Sequence, residues 1–222
     1  MNNRIKNEPN LKIDDFSMNN EYLNIHKNSW EEAYVSGKWE YLKTDLSESH
    51  RYCLIHNYFR TFIQKGSVLD LGCGEGNILR YFTRDEIVYY KGVDICSHAI
   101  HTAKTEFSWA DFENMDLSKF SETRKYEMII LNEILYYLPD TESIINKYSE
   151  YLTSNGIMVV SLYYPIGTNR RTFHHIIENI SKILHNRMNH IELIDDVLII
   201  NLNRNKRWNI LMYKNANNGI QK

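Results

Sequence analysis

The sequence predicts an α/β fold: a doubly wound, mostly parallel sheet with a C-terminal antiparallel hairpin and an N-terminal helical cap. Three observations predict it. Short apolar runs alternate with helix-like segments from Val68 to Leu162, the pattern of a parallel sheet covered on both faces. The first run ends in a turn with glycine at every second position, Gly72, Gly74 and Gly76. The last two apolar runs, Ile191–Leu202 and Trp208–Tyr213, flank the polar stretch Asn203-Arg204-Asn205-Lys206, which reads as a hairpin.

In chain order, the first twenty residues are polar and without period, and read as a loosely held arm. From Tyr22 to Tyr41 aromatic residues interleave with charges, and Trp30 and Tyr34, four apart, share a helical face. That face is either a helix packed on the domain or an aromatic lid over a pocket. Ser47 to Phe62 reads as a helix with Ser47 as N-cap, since Leu54, Ile55, Tyr58, Phe59 and Phe62 recur at three- and four-residue steps. Gly66 breaks that pattern. Strands are expected at Val68–Leu71, Tyr89–Val93, weakly near Phe107–Trp109, at Met128–Leu131 and at Ile157–Leu162. Between them, Asn77–Phe82 is a short helix, and Ser97 caps another at Ala99–Thr105. Thr141–Leu152 carries Ile144, Ile145, Tyr148, Tyr151 and Leu152 on one face and is ended by Gly156. Phe173–Leu184 is a further helix. Residues 1–62 form the arm and cap, and residues 63–222 the core.

A chain of 222 residues with 43% hydrophobic and 24% charged side chains can build one globular domain. A net charge of −2 supplies no bulk attraction to nucleic acid or an anionic membrane. Cys53, Cys73 and Cys96 are too scattered for a disulfide framework or a zinc cluster, which fits a reducing compartment. His26, His98, His101, His185 and His190 lack ligand spacing, so no metal is expected. No run reaches the ~18 apolar residues of a membrane span, and the polar start is not a secretory signal. Cytoplasmic residence is the default expectation.

The chemistry concentrates in Val68-Leu69-Asp70-Leu71-Gly72-Cys73-Gly74-Glu75-Gly76, a buried strand running into a glycine turn. Glycine is needed where backbone takes unusual dihedrals or approaches a ligand closely. Asp70 lies at the end of that strand, and Asp94 ends the next apolar run. In doubly wound sheets ligands bind at the carboxyl ends of the strands, and an acid about 20 residues after the turn grips a nucleotide ribose. Asp94 follows Gly74 by 20 positions. The dinucleotide fingerprint would need glycine at position 77, where Asn77 stands. A Walker phosphate loop is excluded, because no Gly-Lys-Ser/Thr follows.

Val68–Gly76 resembles the first motif of the class I S-adenosylmethionine-dependent methyltransferases. The resemblance continues through Asp94, Ala110-Asp111, Ile129-Ile130-Leu131-Asn132-Glu133 before Leu135-Tyr136-Tyr137-Leu138, and Leu152-Thr153-Ser154-Asn155-Gly156. It implies a Rossmann-like fold, S-adenosyl-L-methionine as cofactor with S-adenosyl-L-homocysteine as product, and direct in-line methyl transfer. The implied acceptor is N or O of a small molecule such as a sugar, an amine or a specialised metabolite. By the same resemblance the backbone of Gly72, Cys73, Gly74 and Gly76 borders the methionine part of the cofactor. Asp70 orients that loop or meets the amino group, and Asp94 with Ile95 holds the ribose. Asp111 accepts from the adenine amino group with Phe112 beside the ring, and Asn132 lies near the amino-acid end.

Upstream, Gly37-Lys38-Trp39-Glu40-Tyr41-Leu42, Glu48 and Arg51-Tyr52 resemble the N-terminal region of small bacterial methyltransferases, including the nodulation-factor N-methyltransferases. This implies acceptor-side roles for Trp39, Tyr41 and Arg51, joined by Trp30, Tyr34, Tyr136 and Tyr137; the plainer alternative makes Glu48 and Arg51 a surface helix pair. Glu133 is the first candidate for a general base or an amine-orienting group. His174 and His175 come second, because histidine titrates near neutrality. Arg170, Arg171, Arg187, Arg204, Lys206 and Arg207 give the C-terminal part a basic bias, which reads as a solvated face or, alternatively, as a site for a phosphate- or carboxylate-bearing substrate. The alternative functions are methylation of RNA or protein, and a non-catalytic module that binds the cofactor.

Overall fold

The structure, a computed structural model, describes residues 20–166, 171–186, 188 and 190–216. The expected polar arm lies almost wholly outside them. Among the described residues seven strands form one sheet: β1 (Gly66–Leu71), β2 (Ile87–Asp94), β3 (Asp111–Asn114), β4 (Tyr126–Asn132), β5 (Leu152–Pro165), β6 (Ile191–Asn201) and β7 (Lys206–Asn215). Their order is β3-β2-β1-β4-β5-β7-β6. The first five run parallel, and β7 is antiparallel to both β5 and β6. This is the Rossmann-like, doubly wound arrangement with a terminal antiparallel pair.

Alternate strand residues feed two cores. On one face Leu69, Leu71, Ile129 and Leu131 pack against α5 (Thr141–Ser149) through Ile145 and Tyr148, and against α6 (Arg171–His185) through Ile177 and Leu184. On the other, Val68, Tyr90, Met128 and Ile130 meet Ile55 and Phe59 of α3 (Leu46–Phe62) and Ile100 and Ala103 of α4 (Ser97–Glu106). The period of two sorts these side chains, and both faces need cover because both are apolar. α3 is therefore part of the sheet's cover, although the sequence grouped it with the cap. Ahead of it lie α1 (Asn20–Val35) and α2 (Tyr41–Thr44).

Several local expectations shift. β3 sits at Asp111–Asn114 and not at Phe107–Trp109, because Phe107 closes α4, its amide donating to the Ala103 carbonyl. Asp45, not Ser47, caps α3: its carboxylate accepts the Ser47 amide at 2.9 Å. Cys96, not Ser97, precedes α4 as its N-cap. α5 stops at Ser149, and Leu152 already pairs with Tyr126 as the start of β5. Gly156 lies inside that strand, where a Cβ would stand 3.0 Å from the Tyr126 carbonyl oxygen.

Candidate functional site

The order of the sheet reverses between β1 and β4, and there β1 runs into the turn at Gly72–Gly76. Gly72 and Gly74 have φ of +76° and +53°, in the left-handed region. A Cβ at Gly74 would stand 2.5 Å from the Tyr34 hydroxyl, and one at Gly72 would stand 2.7 Å from Cγ1 of Ile134. The Gly72 and Cys73 amides donate to the Val93 carbonyl at 2.8 and 3.2 Å, while the Gly74 amide donates to Oδ2 of Asp94 at 2.8 Å. The turn is bare main chain tied to the end of β2.

Two carboxylates adjoin it. Asp70 is buried and accepts from the Tyr90 hydroxyl at 2.7 Å. Burial pushes its carboxyl up to about 7, with the Tyr90 bond pulling the other way. Asp94 takes the Gly74 amide on Oδ2 and the Cys96 amide on Oδ1, both at 2.8 Å. Burial raises its pKa against those bonds. It caps the turn, yet each carboxylate oxygen retains a second lone pair. The Asn114 side-chain amide donates to the Asp94 and Ile95 carbonyls at 3.0 and 2.8 Å, stitching the end of β3 to the same corner.

At the end of β4, Oδ1 of Asn132 accepts from the Ser161 hydroxyl at 2.8 Å and from Nε of Arg51 at 3.2 Å. Glu133 adopts φ +59°, uncommon outside glycine and concentrated at functional sites. Its Oε1 accepts from Nε1 of Trp208 at 2.8 Å and lies 2.9 Å from Nε of Arg51; its Oε2 is 3.4 Å from the Tyr136 hydroxyl. Arg51 also meets Glu48 and the Tyr52 hydroxyl, and Lys206 reaches Glu48. Two cations and two carboxylates thus balance. Burial works against the Arg51 charge, but Glu133 and Glu48 outweigh it and hold the guanidinium proton more firmly. For Glu133, burial pushes the carboxyl up while Arg51 pulls it down, and the net direction is up. The side chains of Arg51 and Glu48 are only 2% and 3% exposed, so they are no surface pair. Nor does Lys206 belong to a solvated face.

α1 covers this mouth. Trp30 stacks on Trp39 with ring centroids 5.5 Å apart and meets Tyr137 edge-on at 4.7 Å. The carboxylate of Glu31 accepts from the Ser97 amide at 2.5 Å, the Ser97 hydroxyl at 2.7 Å and the His98 amide at 3.0 Å, at the first turn of α4. Burial raises this carboxyl, but those bonds outweigh it and hold it at about 2.

Beneath the cap lies a cavity of about 130 Å³. It gathers Asp70, Gly72, Cys73, Gly74, Asp94 and Ile95 on one side, and Asn132 and Glu133 on the other. Trp30, Tyr34, Trp39, Tyr41, Arg51, Tyr136 and Tyr137 also line it. The Tyr34 hydroxyl stands over Gly74, and the volume lies below the roughly 300–1,000 Å³ of small-molecule sites.

Other expected site residues are elsewhere. Asp111 opens β3 level with Lys91, three residues before the end that Asn114 shares with Asp94, or about 10 Å along the strand. It pairs with Lys91 at 3.1 Å and accepts from the Tyr89 hydroxyl at 2.8 Å. Phe112 is level with Gly92 and packs under the turn, its ring 3.1 Å from where a Gly76 Cβ would be, so neither it nor Gly76 lines the cavity. α6 turns Ile177, Ile180 and Leu184 inward; His174 and His175 fall off that face and do not line the cavity. The sequence reading missed Asn114, Trp208 and the inward role of Lys206. For Asn114 the expected strand near Phe107–Trp109 stopped short of it, whereas the strand runs over Asp111–Asn114. Nothing local marks Trp208 or Lys206.

The sequence pattern of the methyltransferase domain family matches residues 39–195, more than half of the chain. Trans-aconitate 2-methyltransferase of Rhizobium etli is 24% identical over 103 residues, covering 45% of this chain and 39% of that protein. The chain spans between 35% and 48% of the lengths of the curated relatives it matches. Among solved structures, the N-methyltransferase NodS from Bradyrhizobium japonicum in complex with S-adenosyl-L-homocysteine superposes with a TM-score of 0.64 at 16% identity, over 79% of this chain and 90% of that one. 1,6-Didemethyltoxoflavin-N1-methyltransferase from Burkholderia thailandensis gives 0.67 at 12% identity, over 90% and 92%. These likenesses establish the class I methyltransferase fold.

Proposed function

The chain belongs to the methyltransferase domain family, and from that premise we propose that it moves the methyl group of S-adenosyl-L-methionine onto a nitrogen or oxygen of a small molecule. The observation that carries this reading is the pair of carboxylates, Asp70 and Asp94, set around a bare glycine turn where the sheet order reverses.

The residues present fit the cofactor. At Gly74 any side chain would fill the space next to Tyr34 and close the approach to main chain. The free lone pairs of Asp94 suit two ribose hydroxyls, and such charge-assisted bonds are strong. Asp70, holding a proton to about pH 7, ionises readily beside a cationic amino group. Ile95, which lines the cavity beside Asp94, takes the adenine side in place of Asp111, and Asn114 braces it from behind. Arg51, the one cation among the described lining residues, is held by Glu48 and Glu133 and lends the cavity its positive charge from there. Tyr34 must turn aside on loading, a rotation of one side chain.

When bound, the cofactor supplies a methyl group already activated by its sulfonium, so the chain need form no covalent intermediate. What remains is alignment, which lowers a barrier by about 7–11 kcal/mol in favourable cases. Arg51 and Trp208 hold Glu133 through Oε1, which leaves Oε2 to orient the acceptor or take its proton. The aromatic cap closes over the acceptor and keeps water out.

S-adenosyl-L-homocysteine at ~100 times its dissociation constant stabilises the fold by about 2.7 kcal/mol on this reading. Asp94→Ala removes most of that shift. A wild-type melting curve that stays put at every concentration refutes the proposal, and transfer from labelled cofactor to candidate metabolites tests turnover.

A further inference from the structure

The identity of the acceptor can be narrowed further, on the assumption that the cofactor reading holds. The acceptor half of the cavity, at the end of β4, is walled by rings: Trp30 stacked on Trp39, Tyr137 edge-on to Trp30, and Tyr136 with its centroid 4.6 Å from Tyr137. Such walls accept planar frames, and their negative faces attract cations.

The charges point the same way. Asp70, Glu75, Asp94 and Glu133 line the cavity against a single cation among the described lining residues, Arg51. Arg51 is engaged by Glu48, Glu133, Asn132 and Tyr52. Lys43 nearby is tied to Glu75 at 2.9 Å. The cofactor brings a carboxylate of its own, so no second cation on the lining remains for an acidic acceptor. A carboxylate buried there without a counter-ion is strongly disfavoured. Two groups are also left with unused capacity. The indole N–H of Trp39 is buried without a hydrogen-bond partner, a state that native structures seldom tolerate. Oε2 of Glu133 has only the long 3.4 Å contact with Tyr136.

We propose that the acceptor is an amine carried on a planar aromatic or heteroaromatic frame. Its amino group lies at Oε2 of Glu133, and an oxygen or ring nitrogen of the frame accepts from Nε1 of Trp39. The bound ammonium first gives one proton to Oε2 of Glu133; the neutral amine nitrogen then uses its lone pair to form the new N–CH3 bond, the electrons of the broken S–CH3 bond stay on sulfur, and the product leaves as the N-methylammonium.

Calorimetry on the full chain tests this in two stages, S-adenosyl-L-homocysteine first and probes second, on the loaded protein. The amine para-methoxyphenethylamine binds about tenfold tighter than para-methoxyphenylpropionate, the size of a cation–aromatic preference. Trp39→Phe keeps a six-membered ring but drops the N–H with the rest of the indole; the lost area weakens both probes alike, and the lost N–H weakens para-methoxyphenethylamine about fivefold more than para-ethylphenethylamine. The melting temperature of that variant verifies its fold. Failure of S-adenosyl-L-homocysteine to bind counts against the cofactor reading. If it binds while the carboxylate equals the amine, or neither probe binds, the acceptor assignment alone falls. Equal loss of the methoxy and ethyl amines in Trp39→Phe overturns the indole contact.

Discussion

Arg51→Met isolates the ion network that holds Glu133. The Arg51 side chain is 2% exposed, and its loss leaves Glu133 with Trp208 and Glu48 with Lys206. Met conserves much of the volume, so the effect is electrostatic. Removing one partner of a buried pair costs about 3–5 kcal/mol, because the other charge stays behind. The guanidinium also sits 4.4 Å from the Tyr52 ring centroid, a contact that goes with it. For a chain of this length each kcal/mol shifts the melting temperature by about 2–4 °C, so a fall of roughly 6–20 °C follows. The deficit depends on pH. Burial already raises the Glu133 carboxyl, and without Arg51 nothing comparable pulls it down, so it takes up a proton at higher pH than in the wild type. Protonation removes the uncompensated charge, and the variant closes on the wild type as pH falls. Urea midpoints at neutral and mildly acidic pH measure this, and Glu48→Gln added to Arg51→Met recovers part of the loss in a double-mutant cycle. A cost below ~1 kcal/mol, the value of an exposed pair, or a deficit that ignores pH would refute a buried network.

Two other perturbations follow from the turn. Asp70 keeps its proton to about 7 in the fold against 3.8 as its ordinary value, so its favourable contribution is complete below 3.8 and lost as pH rises through about 7. Asp70→Asn therefore flattens the fall in melting temperature across that window; parallel curves for the two proteins would show that the carboxyl titrates normally. Gly72→Ala meets φ of +76° and an Ile134 methylene at 2.7 Å, and the dihedral alone costs about 1–2 kcal/mol. An unchanged urea midpoint would mean that the turn relaxes.

The sequence by itself determined the features whose cause is local. The alternation of apolar runs set the parallel strands, the Gly72–Gly76 spacing set the turn, and Asp70 and Asp94 were marked by their places at strand ends. Trp30, Tyr34 and Trp39 could be read only as a helix face or a lid; the tertiary structure seats them over the cavity.

Relations between distant segments were decided in three dimensions. Whether Asp111 or Asn114 lies level with Asp94 depends on the register of β3 against β2, and a shift of three residues moves a side chain by about 10 Å. Arg51 meets Asn132 across 81 positions, and Lys206 meets Glu48 across 158. A charged residue is exposed by default, and only the packed fold, by bringing opposite charges together away from water, makes a buried network of them. Composition cannot foretell such an encounter, because burial belongs to the assembled surroundings and not to the residue.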